Sequence, residues 1–155
     1  MQTPDLDSIG RNALITVSGI ADVPAKVDTG ADSSSIWATN IHEENGELRF
    51  TLFDAENELY TGEEMSFPEG KYKQVEVYSS SGEFQIRYKV ALPVMVEGKH
   101  VEARFTLADR RAMAYPVLLG RNFLKGQFLV DVSQGIDHDI HRSLVQKKHV
   151  RNGVA

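Results

Sequence analysis

The sequence predicts an all-β domain, and three observations lead there. Short β-rich segments recur along most of the chain, turn residues separate them, and only residues 121–125 read as a helix. The first clear strand is residues 20–27, where rough alternation precedes Asp28 and Pro24 marks the strand as short or edge-exposed near its start. It ends in the small polar turn Asp28-Thr29-Gly30. Residues 48–53 alternate as Leu-Arg-Phe-Thr-Leu-Phe, residues 54–57 turn, and residues 58–60 are expected to return. Residues 74–78 and 83–90 read as strands joined by Ser79-Ser80-Ser81-Gly82, a hairpin signal. Residues 92–96 and 100–107 flank the tight turn Glu97-Gly98-Lys99. An apolar strand then runs into Gly120 ahead of the helix, and a last strand closes at Asp131. No repeat, low-complexity stretch or long linker divides the chain. The expected organisation is a barrel over residues 1–132 and a polar, basic tail over 133–155.

Composition limits the function classes. At 155 residues and 41% hydrophobic, the chain can bury one good core. A net charge of −5, with acidic residues dense over 43–69, disfavours nucleic-acid binding. The basic stretch at 141–151 lacks interleaved aromatics and reads as a solvated or dimer-contacting tail. No 18-residue apolar run is present, so no helix is expected to cross a membrane. The first residues lack the pattern of a signal peptide, which predicts a cytoplasmic location.

Metal and nucleotide chemistry find little support. There is no cysteine, and the five histidines form no His-Glu-x-x-His pattern. The nearest approach to a ligand cluster, Asp137-His138-Asp139-Ile140-His141, reads as a solvated segment. No Gly-x-x-x-x-Gly-Lys-Ser/Thr loop is present to cradle phosphates. Neither metal nor cofactor is expected.

Asp28-Thr29-Gly30 is the richest chemical signal. Glycine lets backbone approach a carboxylate without a Cβ clash, and a threonine hydroxyl can brace such a loop. The tripeptide alone is equally an ordinary strand-ending turn. It occurs once, so a pair of carboxylates requires a second copy of the chain. Two such carboxylates too close to ionise together share a proton, and one then serves as base and the other as acid.

Two longer stretches carry a resemblance. Asp28-Thr29-Gly30-Ala31-Asp32, followed much later by Val117-Leu118-Leu119-Gly120-Arg121-Asn122, resembles retroviral proteases in order and content. Ala25 through Ala31, with Ser34, Ser35 and Ile36, and Leu107 through Asp131 resemble more closely the bacterial retropepsin-like family often labelled "ATP-dependent zinc protease". That family usually carries a basic residue where this chain has Asp32, which follows the retroviral pattern. The likeness spans about Ile9 to Val132.

The resemblance implies a closed acid-protease barrel that works as a homodimer and cleaves peptides or proteins. It implies Asp28, Thr29 and Gly30 as the catalytic loop, Ala31 and Asp32 as substrate contacts, and Gly120 and Arg121 as loop support, with Arg121 paired to Asp32. It also implies a flap, for which residues 48–60 and 75–87 are the candidate hairpins. The chain between the two motifs is longer than in retroviral relatives, so an insertion lies in the middle region. The alternative is a non-catalytic peptide-binding domain that keeps the barrel and takes extended peptides by strand addition.

Other residues are read more plainly. Trp37 is a core residue or a pocket wall. Ser33, Ser34 and Ser35 are read as loop hydroxyls that satisfy backbone groups, and Asp109-Arg110-Arg111 as a turn with salt bridges. Ala31 replaces the serine that follows this tripeptide in pepsins and removes a hydroxyl donor, which predicts activity at mildly acidic to neutral pH.

Overall fold

The computed structural model describes residues 6–78 and 81–136. In chain order its elements are β1 (Asp7–Ile9), β2 (Asn12–Val17), β3 (Ile20–Val27), β4 (Ser34–Glu44), β5 (Glu47–Leu52), β6 (Glu64–Pro68), β7 (Tyr72–Tyr78), β8 (Phe84–Val96), β9 (Lys99–Ala108), β10 (Val117–Leu119), α1 (Arg121–Leu124) and β11 (Phe128–Val130). The expected all-β barrel with one short helix is the observed fold. Six strands close a ring in the order β10-β3-β2-β8-β9-β4, and β4 returns to β10. Strands β5 and β6 extend the sheet beyond β4, β7 adds to β8 outside the ring, and β1 pairs with β11 in a separate parallel sheet.

Period-two patterning fills the barrel. Ala13, Ile15 and Val17 of β2 point inward, as do Val90, Leu92, Val94 and Val96 of β8. They meet Val23, Ile36, Phe105 and Leu119 in one buried cluster. Pro24 faces Leu14 on β2 one residue before β10 joins the other side of β3 at Ala25, where a missing N–H is tolerated. Turn chemistry fixes the hairpins: Asn45-Gly46 and Glu97-Gly98 both carry paired positive φ angles, the geometry of two-residue connections.

The strand after β5 returns later than expected. Residues 58–60 are held in a turn, because Leu59 N–H donates to Asn57 Oδ1 at 2.9 Å and Tyr60 N–H to Asn57 O at 3.1 Å. Such side-chain bonds compete with ladder formation. Pairing resumes at β6, where Phe67 stacks on Phe50 with ring centroids 5.6 Å apart. The residues read as two strands at 83–90 and 92–96 are one continuous β8, since Ala91 keeps its partner Arg104.

One topological feature positions the site. Strands β3 and β4 are consecutive in sequence, yet β10 lies between them, parallel to β3 and antiparallel to β4. Residues 28–33 must therefore arch over the end of β10.

Past β11 the chain turns back to the start of β2. Arg11 N–H donates to Gln134 O at 2.8 Å, its guanidinium reaches Val132 O, and Ile136 N–H meets Asn12 Oδ1. Residues 133–136 thus lie against the barrel. The Asp137–His141 cluster, the basic stretch beyond it, and Ser79 and Ser80 fall outside the described residues. Among the described residues no helix is long and apolar enough to cross a membrane, and no three metal-ligating side chains converge.

Candidate active site

The loop over β10 is built on backbone hydrogen bonds. Asp28 N–H donates to Leu119 O at 2.9 Å, which fastens the end of β3 to the end of β10. Gly30 N–H then donates to Asp28 Oδ1 at 3.0 Å, and Ala31 N–H to Asp28 O at 3.2 Å. The half-buried carboxylate is thus oriented by its own turn, and Oδ2 has no hydrogen-bond partner among the described residues. A Cβ at position 30 would stand 3.3 Å from Oδ1, so glycine permits the N–H to approach.

Gly120 serves close approach rather than unusual backbone angles. A Cβ there would collide with the carbonyl oxygens of Ser33 and Ala31, the latter at 2.8 Å. Its N–H donates to Ser34 Oγ at 2.9 Å, and that hydroxyl donates to Asn122 Oδ1 at 2.7 Å. Asn122 also gives its backbone N–H to Asp32 O and its side-chain N–H to Arg104 O at 3.0 Å. Arg121 N–H meets Ala31 O at 2.8 Å, while its guanidinium donates to Thr29 O at 2.9 Å and pairs with the Asp32 carboxylate. The loop is therefore pinned at Asp28, Thr29, Ala31 and Asp32 by residues from β10 and α1.

The named residues converge on this one loop. Asp28 and Ala31 are half-buried, Thr29, Gly30, Asp32 and Arg121 are exposed, and Gly120 is buried. Thr29 braces the loop through its carbonyl; its hydroxyl makes no hydrogen bond among the described residues. Trp37 is a core residue, 2% exposed.

Three supporting residues take a place in the structure that the sequence does not reveal. Ser34 hides in a serine run that resembles a loop, yet it begins β4 and is buried. Asn122 is visible only as part of a motif. Arg110, read as a salt-bridged turn residue, is buried, donating from Nε to Tyr115 O at 2.9 Å and from Nη1 to Ser35 Oγ at 3.1 Å. Burial, and to a lesser degree the charge of Arg87, pushes its guanidinium below the ordinary range. Only Arg111 of that turn forms an ion pair, with Asp54.

The two candidate hairpins differ in kind. The segment after β5 is fastened down: Phe53 is fully buried, its N–H donates to Trp37 O and its carbonyl accepts from Thr39 Oγ1. The β7–β8 hairpin projects instead. Strand β9 covers β8 only from Lys89 onward, so Phe84 to Tyr88 pair with β7 alone. Phe84 and Ile86 share the face of β8 that turns inward at Val90 and Leu92, yet they are exposed, together with Tyr78.

A ψ-like crossing of β10 between β3 and β4, an Asp-Thr-Gly loop arched over it and a closed six-stranded barrel define a retropepsin-like protein. The family model RimB-like, "Retropepsin-like aspartic endopeptidase RimB", matches residues 10–139, and the chain belongs to that family. A relative from Shewanella halifaxensis named "Probable alpha-L-glutamate ligase" is 31% identical over 127 residues, covering 75% of this chain and 26% of its own length. A protein of the same name from Desulfotalea psychrophila is 29% identical over 117 residues, 73% of this chain and 25% of its own. The chain thus spans about a quarter of the length of the curated relatives it matches. A solved Legionella pneumophila protein of unknown function (DUF785) superposes with a TM-score of 0.63 at 29% identity, covering 83% of this chain and 95% of that one.

Proposed function

We propose that the chain is an aspartic endopeptidase whose active site is completed by a second copy, with one Asp28 from each. The observation that carries this reading is the single presented carboxylate. Asp28 sits half-buried on its glycine turn, while Asp32, the other carboxylate of the loop, is 87% exposed and bound to Arg121. Hydrolysis without a covalent intermediate needs one carboxyl group to take a proton and another to give one.

In that assembly one Asp28 takes a proton from water as the water oxygen bonds to the peptide carbonyl carbon. The other Asp28, protonated, gives its proton to the carbonyl oxygen. The gem-diol then collapses: the C–N bond breaks, nitrogen takes the proton held by the first Asp28, and a hydroxyl proton returns to the second. The Gly30 N–H keeps each carboxylate aimed throughout. The exposed Leu129 and Val132 offer an apolar surface to the second copy, and the free Thr29 hydroxyl is available to the same contact. The β7–β8 hairpin, with its exposed Tyr78, Phe84 and Ile86, is the segment that covers bound peptide.

α-Linked glutamyl peptides are the first substrate class to test, because the chain matches part of proteins named for α-L-glutamate ligation. The same match supports a second reading, a peptide-binding module that accompanies a ligase without cutting. Light scattering over a concentration series at pH 5 and pH 7, with cleavage of a peptide library by the wild type and Asp28→Asn, separates the two. The peptidase reading expects a dimer whose cleavage Asp28→Asn abolishes. Binding without cleavage in both forms would establish the module.

A further inference from the structure

A row of cations crosses the outer face of the barrel at the root of the β7–β8 hairpin. Lys73 of β7 and Lys89 of β8 are direct cross-strand partners, and Arg104 of β9, opposite Ala91, lies diagonal to Lys89. Like charges set directly opposite each other weaken a sheet. Lys71 stands beside Lys73 in a groove of 320 Å³ that includes Lys89 and Arg104. A second groove of 350 Å³ shares Lys89 and Arg104 and reaches Lys125. Arg87 continues the row two residues from Lys89 on the same face of β8.

Among the described residues no ion pair neutralises this row. Among the described residues the ion pairs involve His42, Arg49, Lys99, Arg111 and Arg121, and none of the six cations named above. Glu102 borders the second groove without an ion pair to any of them. Partial burial, then the charges of Lys73 and Arg104, depress the Lys89 ammonium below its ordinary range; burial alone does so for Arg87. In a chain of net charge −5, this concentration of cations makes a local positive field that favours an anionic partner.

We propose that this face is an exosite for an acidic polypeptide segment, which lies across Lys73, Lys89 and Arg104 outside the cleft. A short acidic segment meets the row while the acidic remainder of the chain repels a long polyanion, which favours peptide over nucleic acid. The exosite also touches the catalytic loop: Arg104 O accepts from Asn122, whose own N–H and side-chain oxygen hold Asp32 O and Ser34 Oγ. The proposal rests on the peptidase reading for its purpose, to hold an acidic flank of the substrate, but its test does not require cleavage.

The test is fluorescence anisotropy with a labelled octaglutamate peptide over a salt series, on the full chain. The comparison is wild type against Lys89→Ser/Arg104→Ser, with a single-stranded RNA octamer as competing probe. The side chains lie on the outer face, and circular dichroism checks folding; Lys89→Arg/Arg104→Lys keeps the charge. The expected result is octaglutamate affinity lowered about tenfold or more in the serine variant, a shallower salt dependence, and recovery in the charge-keeping variant. Equal octaglutamate affinity in wild type and serine variant, or no binding, overturns the exosite. Tighter RNA binding that depends on the same two residues overturns the acidic-peptide assignment. If octaglutamate binding depends on the two residues but no peptide is cut, the exosite stands and the peptidase reading fails.

Discussion

The guanidinium of Arg121 joins two points of one loop, donating to Thr29 O at 2.9 Å and pairing with the Asp32 carboxylate. Thr29 follows Asp28 directly, so this fork sets where the carboxylate stands. Lysine, whose three donors radiate from one nitrogen, lacks the fork that spans both partners. Arg121→Lys should lower kcat/KM about ten- to hundredfold, mostly in kcat, as displaced reacting groups do. Stability should change by less than about 1 kcal/mol, since the pair is largely exposed and screened. Steady-state kinetics beside thermal unfolding would show the split; a large loss of Tm with intact kcat would refute it.

Gly120 and Gly30 should respond in opposite ways. At Gly120 a methyl group meets carbonyl oxygens of a loop that β10 and α1 already pin, so Gly120→Ala is expected to cost about 3 kcal/mol in urea unfolding. At Gly30 the contact with Asp28 Oδ1 is tight at 3.3 Å but the site is exposed. Gly30→Ala should therefore leave the urea midpoint nearly unchanged while reducing cleavage at least tenfold, because the strain falls on the Asp28 carboxylate that the proposed reaction uses.

Tyr72 stitches β7 to the end of β4 by donating its phenol to Glu43 Oε1 at 2.8 Å. That hydrogen bond, with lesser help from burial and neighbouring charge, raises the phenol to about 12. A folded-state value above the unfolded value of about 10 favours the protonated form. The stabilisation is complete below pH 10 and is lost as pH rises through about 12. Ultraviolet titration should show Tyr72 ionising late in the wild type, and Glu43→Gln should lower its pKa.

Much of the candidate site is legible in sequence because its chemistry is local. Asp28-Thr29-Gly30 and Leu119-Gly120-Arg121 each form a compact motif, and their joint occurrence carries the likeness. The supports are harder to read, because their partners lie far along the chain. Ser34 meets Asn122 and Gly120 across the end of β10, and Arg110 meets Ser35 on a strand that begins with polar residues. Nothing in a Ser-Ser-Ser run distinguishes a loop from buried hydroxyls that close a hydrogen-bond network. The strand return fails for a related reason: Asn57 captures the backbone of residues 58–60, where the strand is expected to return after the turn.

The β7–β8 hairpin offers the sharpest separation of function from stability. Phe84 is 55% and Ile86 61% exposed, so their removal takes little apolar surface out of the core. They nonetheless lie on the face of β8 that becomes barrel interior at Val90, which directs them toward whatever lies beneath the hairpin. If the hairpin closes over peptide, those side chains are buried only in the complex, and their hydrophobic gain appears in binding rather than folding. Phe84→Ser/Ile86→Ser should shift Tm by no more than a few degrees while raising KM about tenfold or more. The matching change on the fastened segment, Phe53→Ser, should do the reverse, since Phe53 is fully buried: stability falls by about 3 kcal/mol or more. Unchanged KM in the hairpin variant would remove the β7–β8 arm from peptide recognition and leave the cleft uncovered.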